Sequence, residues 1–184
     1  WLFTILGDES HELTDDKIAP LNPVIQLALD LNILQRSSSE DYFFYYPTLG
    51  GYLAARALTR SGVDTITQIL NQPDWSLMHE TMRFFPAFND IQPYLQSIQS
   101  DGSLLKEKLI RASLWLVNIE PNSSAELNLL KILTKEIHSN SNYMIKVRLV
   151  IAISKSLNHN IKSIFQHLLQ SQDLDTRRAA AIGS

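Results

Sequence analysis

Apolar side chains recur along the second half of the chain at helical spacing. Leu105, Leu109, Ala112, Leu116 and Ile119 fall at steps of four, three, four and three, which aligns them on one helical face. Glu120, Pro121 and Asn122 interrupt the pattern, and Ser123 with Glu126 three residues on reads as a capping box opening the next helix. That helix carries Leu127, Leu130, Leu133 and Ile137 and is expected to stop at the polar run from Ser139 to Asn142. A third carries Met144, Val147, Ile151 and Leu157, and Ile161, Ile164, Phe165, Leu168 and Leu169 predict a fourth. Helices of this size with such short links pack as antiparallel neighbours.

Pairing the helices exposes a repeat. Val147–Ala152 overlays Thr176–Ala181 at an offset of 29. Upstream, Asp74–Phe88 and Ile91–Ile98 predict another helix pair, about 30 residues before the pair that begins at Ser103. Two helices per unit at that period mark an α-solenoid, with an irregular helical bundle as the alternative. The closing run Asp173, Leu174, Asp175, Thr176, Arg177, Arg178, Ala179, Ala180, Ala181 resembles the first helix of a HEAT-like repeat. Its Ala positions let helices approach closely, and its Arg side chains are suited to pairing with an acidic residue of a neighbouring repeat.

The first sixty residues follow a different pattern. Thr14, Asp15 and Asp16 predict a helix start, Ile18 to Ile33 is apolar enough for burial, and Leu34, Gln35 and Arg36 lead into the polar turn Ser37–Asp41. Tyr42–Tyr46 then forms an aromatic run of high strand propensity. Two short strands around a polar turn, behind helices, describe the wing of a winged helix. Pro47 suits the first turn of a helix running through Leu49, Tyr52, Leu53 and Ala57 to Arg60.

The stretch Phe44, Tyr45, Tyr46, Pro47, Thr48, Leu49, Gly50, Gly51, Tyr52, Leu53, Ala54, Ala55 resembles a string found in NACHT-type STAND NTPases. There, a wing strand ends in Phe-x-His and the next helix reads Ser/Thr, Phe, Gln, Glu, Tyr/Phe, any, Ala, Ala. Phe44, Thr48, Leu49, Tyr52, Ala54 and Ala55 match, and Pro73, Asp74, Trp75 is similar to the Pro-x-Trp element that opens the family's repeat array. The resemblance covers Leu31 to Trp75. It implies a winged-helix element and linking helix over residues 1–60, then HEAT-like repeats over 61–184 cut short at the C-terminus, all downstream of an NTPase core. Tyr46 takes the place of the His that approaches bound ADP, and Gly50-Gly51 the place of Gln-Glu. A tyrosine does not become cationic near neutral pH, so that imidazolium contact is lost.

The resemblance also implies that Phe44, Tyr46, Leu49 and Tyr52, together with Trp75, pack a hinge between wing and array. No cofactor is expected in this chain, since ATP or ADP would bind the upstream domain. The expected partner is a protein or that NTPase domain, and the expected role is signal transduction through protein–protein recognition without catalysis. A free-standing HEAT-repeat adaptor is the alternative.

Composition narrows the chemistry without naming any. The 184 residues are 45% hydrophobic and 19% charged, with a net charge of −3 and no cysteine, which excludes thiol catalysis, disulfide frameworks and zinc fingers. Residues 1–100 hold 5 Lys and Arg against 12 Asp and Glu, whereas residues 101–184 hold 11 against 7. Lys131, Lys135, Lys146, Lys155 and Lys162 are expected outside the apolar stripes, as a solvated helix face or as a face for an acidic partner. The helix Leu21–Ile33 contains Asp30 and no Lys or Arg, so DNA readout by a winged helix is not expected.

No phosphate-binding loop, nucleophile elbow or His-Glu-x-x-His motif is present. His11-Glu12 is followed by Asp15, and His79-Glu80 by Arg83, where a second His would stand. The carboxylate pairs Asp15-Asp16 and Glu40-Asp41 sit at predicted helix starts and turns, where capping accounts for them. Trp1–Leu6 is too short for a secretory apolar region, and no apolar run reaches the roughly 18 residues that span a bilayer, so a cytoplasmic chain away from the membrane is expected. The abrupt stop after Ala179–Ala181 reads as a cut through a longer protein.

Overall fold

A computed structural model describes residues 22–36, 42–72, 77–100 and 102–184. The expectations placed on Asp15-Asp16, Glu40-Asp41 and the Pro73–Trp75 element lie outside those residues. Within them the chain is mostly helical, with one small antiparallel sheet. Helix α1 (Asn22–Asp30) leads into strands β1 (Leu34–Arg36) and β2 (Tyr42–Phe44), paired with Leu34 opposite Phe44 and Arg36 opposite Tyr42. The helices α2 (Pro47–Ala57), α3 (Val63–Asn71), α4 (Met78–Phe88), α5 (Gln92–Gln99) and α6 (Glu107–Ser113) follow. After a 3-10 turn at Leu114–Val117 come α7 (Ser124–Ser139), α8 (Tyr143–Ile153), α9 (Ile161–Leu169) and α10 (Leu174–Gly183).

Local chemistry fixes the helix starts. Pro47 occupies the first turn of α2, where its missing N–H costs nothing. Ser123 Oγ accepts the Glu126 N–H at 3.2 Å, which makes half of the expected capping box. The Glu126 carboxylate does not close the other half on Ser123. It accepts instead from the Asn122 N–H at 2.6 Å, one residue earlier. Asn142 and Asp173 cap α8 and α10 through their side-chain oxygens. Helix α3, which was not among the expected elements, is amphipathic: Val63, Ile66 and Leu70 stand at i, i+3, i+7, Ile66 is buried, and Ile69 and Leu70 pack against the core.

Alternate helices pack side by side. One layer holds α2, α4, α6 with its 3-10 extension, α8 and α10, and the intervening helices lie behind it. Phe85 of α4 stacks on Trp115 of the 3-10 turn at 5.7 Å and meets Tyr94 of α5 edge-on at 5.5 Å, the aromatic centre of a continuous apolar core. At the start of the layer α2 and α4 cross closely. A Cβ on Gly51 would stand 2.7 Å from the Glu80 carbonyl carbon and 2.9 Å from the Thr81 nitrogen, so only glycine permits this approach.

The same packing scheme returns along the layer. Leu77 and Lys106, 29 residues apart, both hold positive φ just before α4 and α6. Asn89 and Asn118, again 29 apart, end α4 and the 3-10 turn, and each donates its side-chain amide to a carbonyl of the preceding helix in the layer. Asn89 reaches Ala55 at 3.3 Å and Asn118 reaches Arg83 at 2.9 Å. The buried positions Lys146, Leu149, Val150 and Ile153 of α8 correspond to Thr176, Ala179, Ala180 and Gly183 of α10. This offset is 30, one more than the sequence overlay, which would set buried Leu149 on exposed Arg178.

Burial corrects several expectations: Leu105, Leu127 and Leu169, assigned to apolar stripes, are exposed, and Leu129 rather than Leu127 faces the core. The inward face of α8 is centred on Ile145, Lys146, Leu149, Val150 and Ile153, with Val147 half-buried at its edge, whereas Met144, Ile151 and Leu157 are exposed. Apolar residues surround this helix, so periodicity leaves its phase undetermined. Likewise Val24, Leu27 and Leu31 at α1 are exposed rather than buried.

Candidate interaction groove

A groove of about 480 Å³ runs between the start of α4, helix α6 with its 3-10 turn, and α8. Its walls are helical faces set by periodicity. Glu107, Ile110 and Arg111 of α6 with Leu114 of its 3-10 turn come from one side, and Arg148, Ile151 and Ala152 of α8 with Lys155 of the turn that closes it from the other. Met78 adds to the apolar floor. These faces are free to line a groove because the opposite sides of both helices fill the core with Leu109, Ala112, Leu149 and Ile153.

The groove carries a positive excess. Arg111 lies 3.7 Å from Glu107 and donates to the Gln72 carbonyl at 2.7 Å, so this cation is held and largely balanced. Arg148 and Lys155 are exposed and make no hydrogen bond or ion pair with the described residues. His79, at the edge, lies 3.4 Å from Glu80. The arrangement offers two cations above an apolar floor, which suits binding. Among the described residues no three His, Asp or Glu side chains converge as metal ligands.

The five expected lysines do not form one face. Lys155 lines the groove, whereas Lys131 and Lys135 on α7 and Lys162 on α9 are exposed elsewhere. Lys146 is buried, only 3% exposed, and is not available to a partner. Its ammonium donates to Asp173 at 2.6 Å and to Thr176 at 2.8 Å, and the Thr176 hydroxyl bonds Asp173 at 2.6 Å. A buried charge needs such partners to offset its desolvation. The Lys146 ammonium and then the Thr176 hydroxyl hold the Asp173 carboxyl well below the usual carboxylate range. Thus the ion pair between neighbouring helices expected of Arg177 or Arg178 is made by Lys146, from α8 to the cap of α10. Arg177 bonds the carbonyls of Ser171 and Gln172 in its own loop, and Arg178 lies 3.7 Å from Asp175.

Neither a known family, nor a curated protein, nor a solved structure matches this chain.

Around the hairpin, the expected packing residues divide. Phe44 is half-buried over Gly50, and Leu49 is half-buried. Tyr52 turns toward α4, meeting Phe84 and Phe88 edge-on at 5.7 and 5.1 Å. Tyr46 is 58% exposed and its ring touches Tyr45, so it does not share in that packing. Trp75 lies outside the described residues.

Sequence reasoning missed Arg111, Arg148 and Glu126. Arg148 was hidden because the phase of α8 was read one face away. Glu126 was read as a cap alone, yet its fully buried carboxylate also accepts from Ser156 at 2.6 Å and Asn158 at 2.7 Å, fastening the start of α7 to the α8–α9 loop. The only signal was a polar Ser-x-Asn triplet 30 residues after the glutamate.

Proposed function

We propose that the chain is a non-catalytic recognition and coupling region of a NACHT-type STAND NTPase. In this reading residues 1–60 carry a winged-helix element and linking helix, and residues 61–184 form an α-solenoid of HEAT-like units. The observation that carries it is the recurrence of one packing scheme at 29–30 residues: Leu77 with Lys106, Asn89 with Asn118, and the buried registers of α8 and α10. The hairpin leading into α2 supports the winged-helix part, and its order before the array is the one the resemblance requires.

On this reading, a protein partner engages the array, and the hairpin–α2 junction passes the shift to the upstream nucleotide domain. The groove lies wholly between Met78 and Lys155, an arrangement that serves a free-standing adaptor equally well. Reading the gene upstream of the Trp1 codon separates the two: a Walker lysine motif supports the coupling region, and a nearby start codon supports the adaptor. In an intact NTPase, nucleotide retention should differ among the wild type, Tyr46→His and Tyr46→Phe. Identical retention in all three removes any nucleotide role from Tyr46.

A further inference from the structure

We infer that the groove between α6 and α8 receives an acidic amphipathic helix from a protein partner. This rests on the recognition role above and names the partner's chemistry. Ile110, Leu114, Ile151 and Ala152 form a floor that a simple anion would not need, while Arg148 and Lys155 stand over it without partners among the described residues. An occupant must therefore bring apolar surface and negative charge together.

Spacing selects the form of that occupant. Arg148 sits on α8 and Lys155 in the turn that closes it, seven residues on, a separation of about 10 Å at a helix-like rise of 1.5 Å per residue. A helix with two carboxylates seven residues apart matches both cations along the same line. Apolar residues three and four positions after the first carboxylate then face Ile151 and Leu114. This is helix-in-groove recognition, with α6 and α8 as the walls. Nucleic acid fits less well, since no Phe, Tyr or Trp lines the groove to stack on bases and Glu107 stands on its rim.

The test measures fluorescence anisotropy of a labelled fifteen-residue peptide titrated with the full chain. The peptide carries two glutamates seven apart with leucine and isoleucine three and four positions after the first, the rest being alanine and glutamine. Saturable binding is expected, weakened at least tenfold by Arg148→Glu with Lys155→Glu and also weakened by Ile151→Ala. The charge-matched pair Lys131→Glu with Lys162→Glu should leave binding unchanged. All four basic side chains are exposed, and a thermal melt checks that each variant folds. Four results overturn the inference: no saturable binding, equal weakening by both double variants, undiminished binding when the leucine and isoleucine become serine, or anionic vesicles bound with the same dependence on Arg148 and Lys155. None of these bears on whether an NTPase lies upstream, which the gene sequence decides separately.

Discussion

Adding one methyl group at Gly51 sets two opposing effects against each other. Alanine in a helix interior gains up to ~1 kcal/mol over glycine. The new Cβ, however, would meet the Glu80 carbonyl carbon at 2.7 Å and the Thr81 nitrogen at 2.9 Å, and these are backbone atoms of α4 that cannot swing aside. Forcing extra volume into such a contact costs about 1–3 kcal/mol, with the upper end expected where backbone must move. The net loss is therefore about 1–2 kcal/mol. For a chain of this size each kcal/mol lowers the melting temperature by about 2–4 °C, so Gly51→Ala should melt roughly 2–8 °C below the wild type. Gly50→Ala supplies the internal comparison. Its Cβ would meet the Leu77 Cδ1 atom and the Phe44 Cδ2 atom at 2.6 Å and the Phe44 Cγ at 2.9 Å, all side-chain rather than backbone atoms, so the loss should be smaller. A thermal melt followed by circular dichroism measures both. If Gly51→Ala melts at or above the wild type, α2 and α4 do not cross as closely as described.

Two further substitutions probe the polar fastenings. Glu126→Leu removes the acceptor for the Asn122 N–H, Ser156 and Asn158, and at about 1–3 kcal/mol per buried group left unmatched the stability should fall by at least ~2 kcal/mol, read as a lower urea midpoint. An unchanged midpoint would show that those donors find other partners. Asp173 has a folded pKa below its ordinary 3.8, so its contribution is complete above that value and is lost as the pH falls through and below it. Asp173→Asn should flatten this acid limb of the stability–pH curve, and parallel curves for the two proteins would refute the pairing with Lys146.

Helix content and the hairpin were legible because they rest on local rules. Pro47 and Ser123 mark helix starts through chemistry confined to one turn, and Tyr42–Phe44 carries strand propensity next to a polar turn. The inward face of α8 was not legible. Met144, Ile145, Val147, Leu149, Val150 and Ile151 surround the helix, and the deciding residue is a lysine whose partner lies 27 positions away. Glu126 and Asn118 hid for the same reason, since each satisfies a distant donor or acceptor. The same error on α8 set Lys146 outside the apolar stripes, although it is buried, and left Arg148 unremarked. The cation count of the second half was read correctly, but one of its lysines belongs to the core.

The fastenings between units have a mechanical meaning. Asn89 holds α4 to α2, Asn118 holds the 3-10 turn to α4, and Lys146 holds α8 to α10. Each ties a helix to its nearest companion in the layer, like springs joined end to end. Compliances of springs in series add, so a load applied at α10 would displace it relative to the hairpin end by the sum of the small yields at the joints between them. Stiffening a single joint would barely change that sum, whereas loosening one would let it absorb most of the displacement.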